Sequence, residues 1–264
     1  MILILLSFTQ CIVLTPSDPP FFFESFQDDS YLSRWERTQN SNYSGEFEVR
    51  ECAMPQGFNG ERMLFTKTPK VQYGYSTLFP EPLNVVNKTL IVQFEARFEH
   101  KFICDGAYLK LFQRGNFHPT NLTSDTNYLL LFGPDLCFLN SNIHFSFNHK
   151  NKLSNTYEEK QLRDPPNSPN SKLNHLFTLI TRPDNSFSIL VDNAVVREGS
   201  LLDDFYPPVK PKKKIRDPND KMPDDYTDQE YIPDPSAKKP PDWDQSGPGD
   251  PGTGENRLCQ HCGC

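Results

Sequence analysis

The chain has 264 residues, a hydrophobic fraction of 36%, 24 prolines and a formal net charge of −7. That length holds one large domain, or one domain with an appendage, and the low apolar fraction means that part of the chain does not pack. The acidic balance excludes nucleic acid as the main partner, because phosphate binding needs a basic surface.

The N-terminal stretch Met1–Leu14 is apolar, short and interrupted. It reads as a signal peptide over residues 1–17 rather than a membrane span. No later run is apolar enough to cross a bilayer. With Cys11 removed by cleavage, the seven cysteines become an even number, which suits an oxidising compartment. Sequons at Asn42, Asn87 and Asn121 agree with a secretory route.

From about Phe21 to Asp204 the sequence reads as short strands and turns. Leu90–Phe98 alternates, with Leu90, Val92, Phe94, Ala96 and Phe98 on one face and Gln93, Glu95 and Arg97 on the other. Ile143–His149 repeats the pattern, with Ile143, Phe145 and Phe147 inward. Phe187–Val191 lies between turn signals at Pro183–Asn185 and Asp192–Asn193. The 21 phenylalanines against two tryptophans favour strands, and no segment shows a helical period with caps. Residues 18–206 are therefore predicted to form an all-β, antiparallel sandwich.

After Phe205 prolines recur and alternation stops, so residues 207–244 cannot bury enough surface to fold as a globule. Ile215–Tyr226 aligns with Ile232–Trp243 at a shift of 17 residues, with Ile, Asp-Pro, Lys, Pro, Asp and an aromatic in register. Such a repeat predicts an extended, proline-stiffened arm. Residues 245–264 form a Gly/Pro/Cys tail. Its Cys259, His261, Cys262 and Cys264 lie too close together in sequence for tetrahedral zinc. The basic tract Pro211–Arg216 reads as a solvated junction. Glu158 and Glu159 are adjacent on a strand and point to opposite faces, which excludes a glycosidase pair. No Ser-His-Asp arrangement stands out, and the chain is read as a non-enzyme.

The repeats, ending in Lys-Lys-Pro-Pro-Asp-Trp-Asp244, resemble the arm repeats of the calnexin, calmegin and calreticulin family. Cys104–Phe112, Tyr128–Cys137, Tyr157–Lys160 and Arg182–Asp192 are similar to family segments in the same order. Tyr157-Glu-Glu-Lys and Pro207-Pro-Val-Lys-Pro resemble the calnexin and calmegin branch more than calreticulin. The resemblance runs from about Phe21 to Asp244. It implies a legume-lectin-like (concanavalin-like) sandwich that binds monoglucosylated N-glycans and unfolded glycoproteins in the endoplasmic reticulum lumen. It also implies an arm that recruits a disulfide-isomerase-type oxidoreductase. Sugar contacts would fall on Tyr108, Lys110, Tyr128 and Glu159, with Leu131 where the family places a methionine. Cys104 and Cys137 correspond to the family's lectin disulfide. Ser25 and Glu61 fall at two positions of the family's calcium site, Glu61 in place of an aspartate.

The residues themselves carry part of this reading. In Ala107–Phe112, Tyr108 and Lys110 share a strand face opposite Ala107, Leu109 and Leu111. A phenol beside an ammonium offers sugar hydroxyls donors and an acceptor, and the ring offers a surface to sugar C–H groups. A carboxylate such as Glu159 accepts from two hydroxyls. The sequence departs from the family in ending soon after two repeats, without a Lys-Asp-Glu-Leu-type retention signal or a membrane anchor. Secretion and a truncated, non-lectin paralogue that binds unfolded polypeptide or folding partners are the alternatives.

Overall fold

The structure is a computed structural model. It describes residues 2–6, 19–52, 59–98, 104–115, 117–137, 141–151 and 154–210, together with scattered positions beyond. The chain divides into two compact units, Met1–Lys212 and Lys213–Cys264. Most of the repeat arm and the whole cysteine tail lie outside the described residues.

Among the described residues, strands of the first unit form two large sheets. The first sheet contains β1 (Ile2–Leu6), β2 (Phe22–Glu24), β7 (Leu90–Ala96), β13 (His175–Thr181), β14 (Ser186–Val191) and β15 (Ala194–Ser200), in the order β15-β14-β13-β7-β1-β2. The second contains β8 (Cys104–Gly106), β9 (Leu109–Leu111), β10 (Leu130–Cys137), β11 (Ile143–Lys150), β12 (Tyr157–Leu162) and β16 (Phe205–Tyr206). Its order is β16-β12-β11-β10-β8, with β9 also on β10. Two further pairs join β3 (Trp35–Arg37) to β6 (Tyr75–Thr77) and β4 (Phe47–Glu51) to β5 (Arg62–Thr66). Described helix is confined to α1 (Tyr31–Arg34) and a 3-10 turn at Pro119–Asn121.

The alternating runs behave as their period requires. Leu90, Val92 and Phe94 are buried along β7, and Ile143 and Phe145 along β11, with Phe147 packed against the same core. β7 itself ends at Ala96. Asp192 and Asn193 both adopt positive φ, 50° and 67°, and close a two-residue hairpin between β14 and β15. Against these antiparallel pairings, β1 runs parallel to both β2 and β7. The apolar N-terminal run, read as a leader, thus has backbone pairing within the first sheet.

Phenylalanine rings fill the space between the sheets. Phe94 meets Phe132 edge-on at 6.0 Å, and Phe145 meets Phe187 at 5.5 Å. Phe205 closes the group against Phe145 and Phe187 at 5.2 and 5.7 Å. A second, smaller core gathers Phe26, Cys52 and Met63 with Tyr31, Trp35 and Val49. Buried Glu24 ties the two clusters. It accepts from the Arg34 guanidinium at 2.7 Å, from Trp35 Nε1 at 2.9 Å and from the Phe26 amide at 3.0 Å.

Phe145→Ala is expected to lower the unfolding free energy by about 3–5 kcal/mol, through lost burial and the cavity left behind. Val196→Thr, on an exposed strand position, should change it by less than about 0.5 kcal/mol. Urea denaturation of the two variants checks both values.

Candidate functional site

The outer face of the second sheet follows from its core. On β10, Leu130, Phe132 and Leu136 are buried, so Leu131 and Asp135 point the other way. On β11 the same parity turns His144, Ser146 and Asn148 away from the core, with Ser146 itself buried, and on β12 it turns Glu159 and Gln161 outward while Lys160 and Leu162 are buried. The edge strand bends between β8 and β9, where the Ala107 amide donates to Pro134 O at 3.0 Å. Gly133 permits that approach, since a Cβ there would stand 2.1 Å from Ala107 O. After the bend, Tyr108 is 45% exposed.

Register aligns these positions. Lys110 pairs with Leu131, Leu131 with Ser146, and Ser146 with Gln161. Tyr128 precedes β10 and lacks the strand's parity, yet its ring lies beneath Lys110, with Nζ 5.1 Å from the ring centroid. Asn148 Nδ2 donates to Tyr128 O at 2.6 Å and holds that backbone. Glu159 Oε1 accepts from Gln161 Nε2 at 2.7 Å.

Tyr108, Lys110, Tyr128, Leu131 and Glu159, singled out in the sequence, therefore lie on one sheet face. Two concave pockets, one lined by residues 37–41 with Tyr43 and Ser44 and one whose lining includes residues 21–25, Leu78 and Pro80, include none of them.

The electrostatics of this face are coupled. Burial pushes the Tyr128 phenol well above its ordinary value of 10.0. The Glu159 charge and a hydrogen bond with Glu159 push the same way, and a hydrogen bond with Ser146 opposes them. Burial lowers the Lys110 ammonium, and the Glu159 carboxylate opposes that shift. The result is a half-buried phenol and ammonium beside an exposed carboxylate, with hydrogen-bonding capacity directed at one patch.

At one end, Asp135 organises a group that sequence reading missed. Its Oδ2 meets His144 Nε2 at 2.6 Å and accepts from Tyr108 OH at 3.4 Å, while Oδ1 accepts from the Asn142 amide at 2.9 Å. Tyr108 also meets the His144 ring edge-to-face at 5.8 Å. The alternation that turned Ile143 and Phe145 inward was the available signal for His144 and Ser146. Cys137 is disulfide-bonded, and its register partner is Cys104, so the disulfide-bonded end of β10 lies beside this group.

The fold assembles a Ser-His-Asp contact chain that did not stand out in the sequence. Ser171 Oγ meets His175 Nε2 at 2.6 Å, and His175 Nδ1 meets Asp192 Oδ2 at 2.7 Å. It fastens a loop to a hairpin: Asp192 Oδ1 accepts from the Leu176 amide, and Ser171 Oγ accepts from the Leu173 amide. No sequence period links these positions, because the hairpin brings them together. Glu158 instead pairs with buried Lys160, on the opposite face from Glu159.

Ser25 and Glu61 lie in segments clasped by Gln27. Its Nε2 donates to Ser25 O at 2.9 Å and Arg62 O at 2.8 Å, and its Oε1 accepts from the Arg62 amide at 3.0 Å. Glu61 is fully buried. Among the described residues no group of three or more His, Cys, Asp or Glu side chains converges. Calcium takes six to eight oxygens. Ser25 and Glu61 by themselves do not supply that number of oxygens.

Taken together, the fold and the sheet face define a legume-lectin-like sandwich. Residues 22–250 match the model of the Calreticulin family, and the chain belongs to that family. It is 40% identical over 219 residues to a calnexin homolog of Aspergillus fumigatus, covering 79% of this chain and 39% of that protein. It is 38% identical over 233 residues to calmegin of Homo sapiens, covering 83% and 38%. Among solved structures, the T. cruzi calreticulin globular domain superposes with a TM-score of 0.62 at 25% identity, covering 75% of this chain and 72% of that one. The chain spans about two fifths of the length of the curated relatives it matches. The family is one of lectin chaperones, not of enzymes. No helix among the described residues is long and apolar enough to cross a membrane.

The raised Tyr128 phenol has a measurable sign. Folded protein keeps that proton to higher pH than unfolded protein, so its stabilisation is full below about pH 10 and is lost as pH rises toward the folded value. Ultraviolet titration of the phenols should show a late phase, to which Tyr75 also contributes, and Tyr128→Phe should shrink it. The same variant should make the alkaline decline of stability shallower.

Proposed function

We propose that this chain is the sugar-binding part of a lectin-type chaperone of the endoplasmic reticulum, which holds monoglucosylated N-glycans on folding glycoproteins. The observation that carries the reading is the convergence of Tyr108, Lys110, Tyr128, Leu131 and Glu159 on one sheet face.

Each group has a part a sugar can use. The Lys110 ammonium donates to ring hydroxyls, and Glu159 accepts from hydroxyls in charge-assisted bonds. Tyr128, kept protonated by burial and by Glu159, both donates and accepts. The Tyr108 ring, exposed at the edge, packs against sugar C–H groups, and Leu131 supplies an apolar floor. Asp135, fixed by His144, adds a further acceptor beside Tyr108.

Calcium belongs to this reading as a structural ion near Ser25 and Glu61. Those residues would offer a carbonyl or hydroxyl oxygen and a buried carboxylate, with the remaining oxygens supplied from elsewhere. The domain boundaries proposed are a leader over 1–17, a lectin-like part over 18–206, an arm over 207–244 and the tail. The arm would receive a disulfide-isomerase-type oxidoreductase. Unfolded polypeptide is the second class of client, held without the sugar face.

A glycan array on the purified chain tests the reading: a preference for monoglucosylated over unglucosylated high-mannose glycans is expected, and its absence sinks the lectin assignment. Lys110→Ala should weaken glycan binding by about 10- to 100-fold, the range for a hydrogen bond to a charged group. Suppression of aggregation of a non-glycosylated client should be unaffected by Lys110→Ala if polypeptide is held independently.

A further inference from the structure

The row of paired residues across the second sheet does not stop at Gln161. Gln161 pairs in turn with Tyr206 on β16, and Leu162 pairs with Phe205. Residues directly opposite in an antiparallel pair share a face. Leu162 and Phe205 are both buried in the core, so the pleat forces Gln161 and Tyr206 together onto the outer face. Tyr206 is 68% exposed, against 45% for Tyr108.

Lys110, Leu131, Ser146, Gln161 and Tyr206 therefore form one register line perpendicular to the strands, in which Ser146 is buried. Four interstrand steps make that line about 19 Å long. Of the proposed sugar-contacting groups, Lys110 and Leu131 lie on this line, and Glu159 stands beside it on β12, the strand of Gln161. Past Ser146 the line carries the Gln161 carboxamide and then, one strand beyond Glu159, the exposed Tyr206 ring, the two side-chain chemistries that serve sugar hydroxyls and sugar C–H faces. Gln161 is already oriented, since its Nε2 donates to Glu159 Oε1. The same carboxamide carries Oε1 as an acceptor for a sugar hydroxyl.

We propose that Gln161 and Tyr206 form a distal subsite for the remaining rings of a bound oligosaccharide, with Tyr206 as the stacking platform. The inference rests on the lectin reading of Tyr108, Lys110 and Glu159, and it extends the ligand one strand past Glu159, onto β16. A disaccharide seated at Lys110 would not reach Tyr206. An oligosaccharide lying along the line would.

The test uses the full chain and calorimetric titration with two probes, a glucosyl-α1,3-mannose disaccharide and the monoglucosylated high-mannose oligosaccharide. Tyr206→Ala is expected to weaken the oligosaccharide by about three- to tenfold, the range for a well-placed aromatic contact, and to leave the disaccharide unchanged. Tyr206→Trp should retain the oligosaccharide affinity, and its indole fluorescence should respond to the oligosaccharide and not to the disaccharide. Equal loss for both probes in Tyr206→Ala, or no loss for either, overturns the subsite alone. Wild-type protein that binds neither probe overturns the lectin reading and the subsite with it.

Discussion

Phe132 and Phe145 turn their rings between the sheets, against Phe94 and Phe187, and this contact fixes the register of everything outside it. Side chains alternate along a strand, so a slip of one residue would exchange the two faces completely. With Phe132 inward, Leu131 and Asp135 must face out; with Phe145 inward, His144 and Ser146 must. A slipped β10 would bury the Asp135 carboxylate and expose a phenylalanine, and both changes are costly. The outer face is thus a consequence of the core, and its chemistry is as well defined as the packing beneath it.

That dependence also sets what the sequence could reveal. β7, β11 and β14 were legible because their alternation is a local property of the chain, and so was the Asp192–Asn193 turn. Tyr108 and Lys110 were legible for the same reason, two residues apart on a short strand. Their meeting with Tyr128 and Glu159 came through resemblance, since no local pattern joins positions so far apart. The Asp135–His144 contact, the Ser171–His175–Asp192 strap and the parallel β1 were not legible. Each depends on which strands become neighbours, and that choice is made by the whole sheet.

Lys160 illustrates the same limit from the core side. The motif Tyr157-Glu-Glu-Lys160 signals a branch of the family, but says nothing of where the ammonium goes. In the structure its side chain is 3% exposed, paired with Glu158 and donating to Pro208 O at 3.1 Å. A buried ammonium without partners would be strongly unfavourable, so this one holds both. It thereby fastens the segment after β16 to β12. Removing the amine would leave the Pro208 carbonyl and the Glu158 carboxylate without it, and so loosen the strand that carries Tyr206.

β12 is consequently bound on both edges by interactions of different kinds. On one side its backbone pairs with β11, which brings Glu159 opposite Asn148 and Gln161 opposite Ser146. On the other it pairs with the two residues of β16 and is reinforced by Lys160. A two-residue strand is too short to hold its place by backbone bonds alone, and burial of Phe205 among Phe145, Phe147 and Phe187 supplies the rest. The position of Tyr206 is therefore set by its neighbour: the ring is directed outward because Phe205 is directed inward. The phenylalanine seam that orients Leu131 and Ser146 orients the last aromatic of the line as well. A ligand crossing the whole face would meet groups held by one common core.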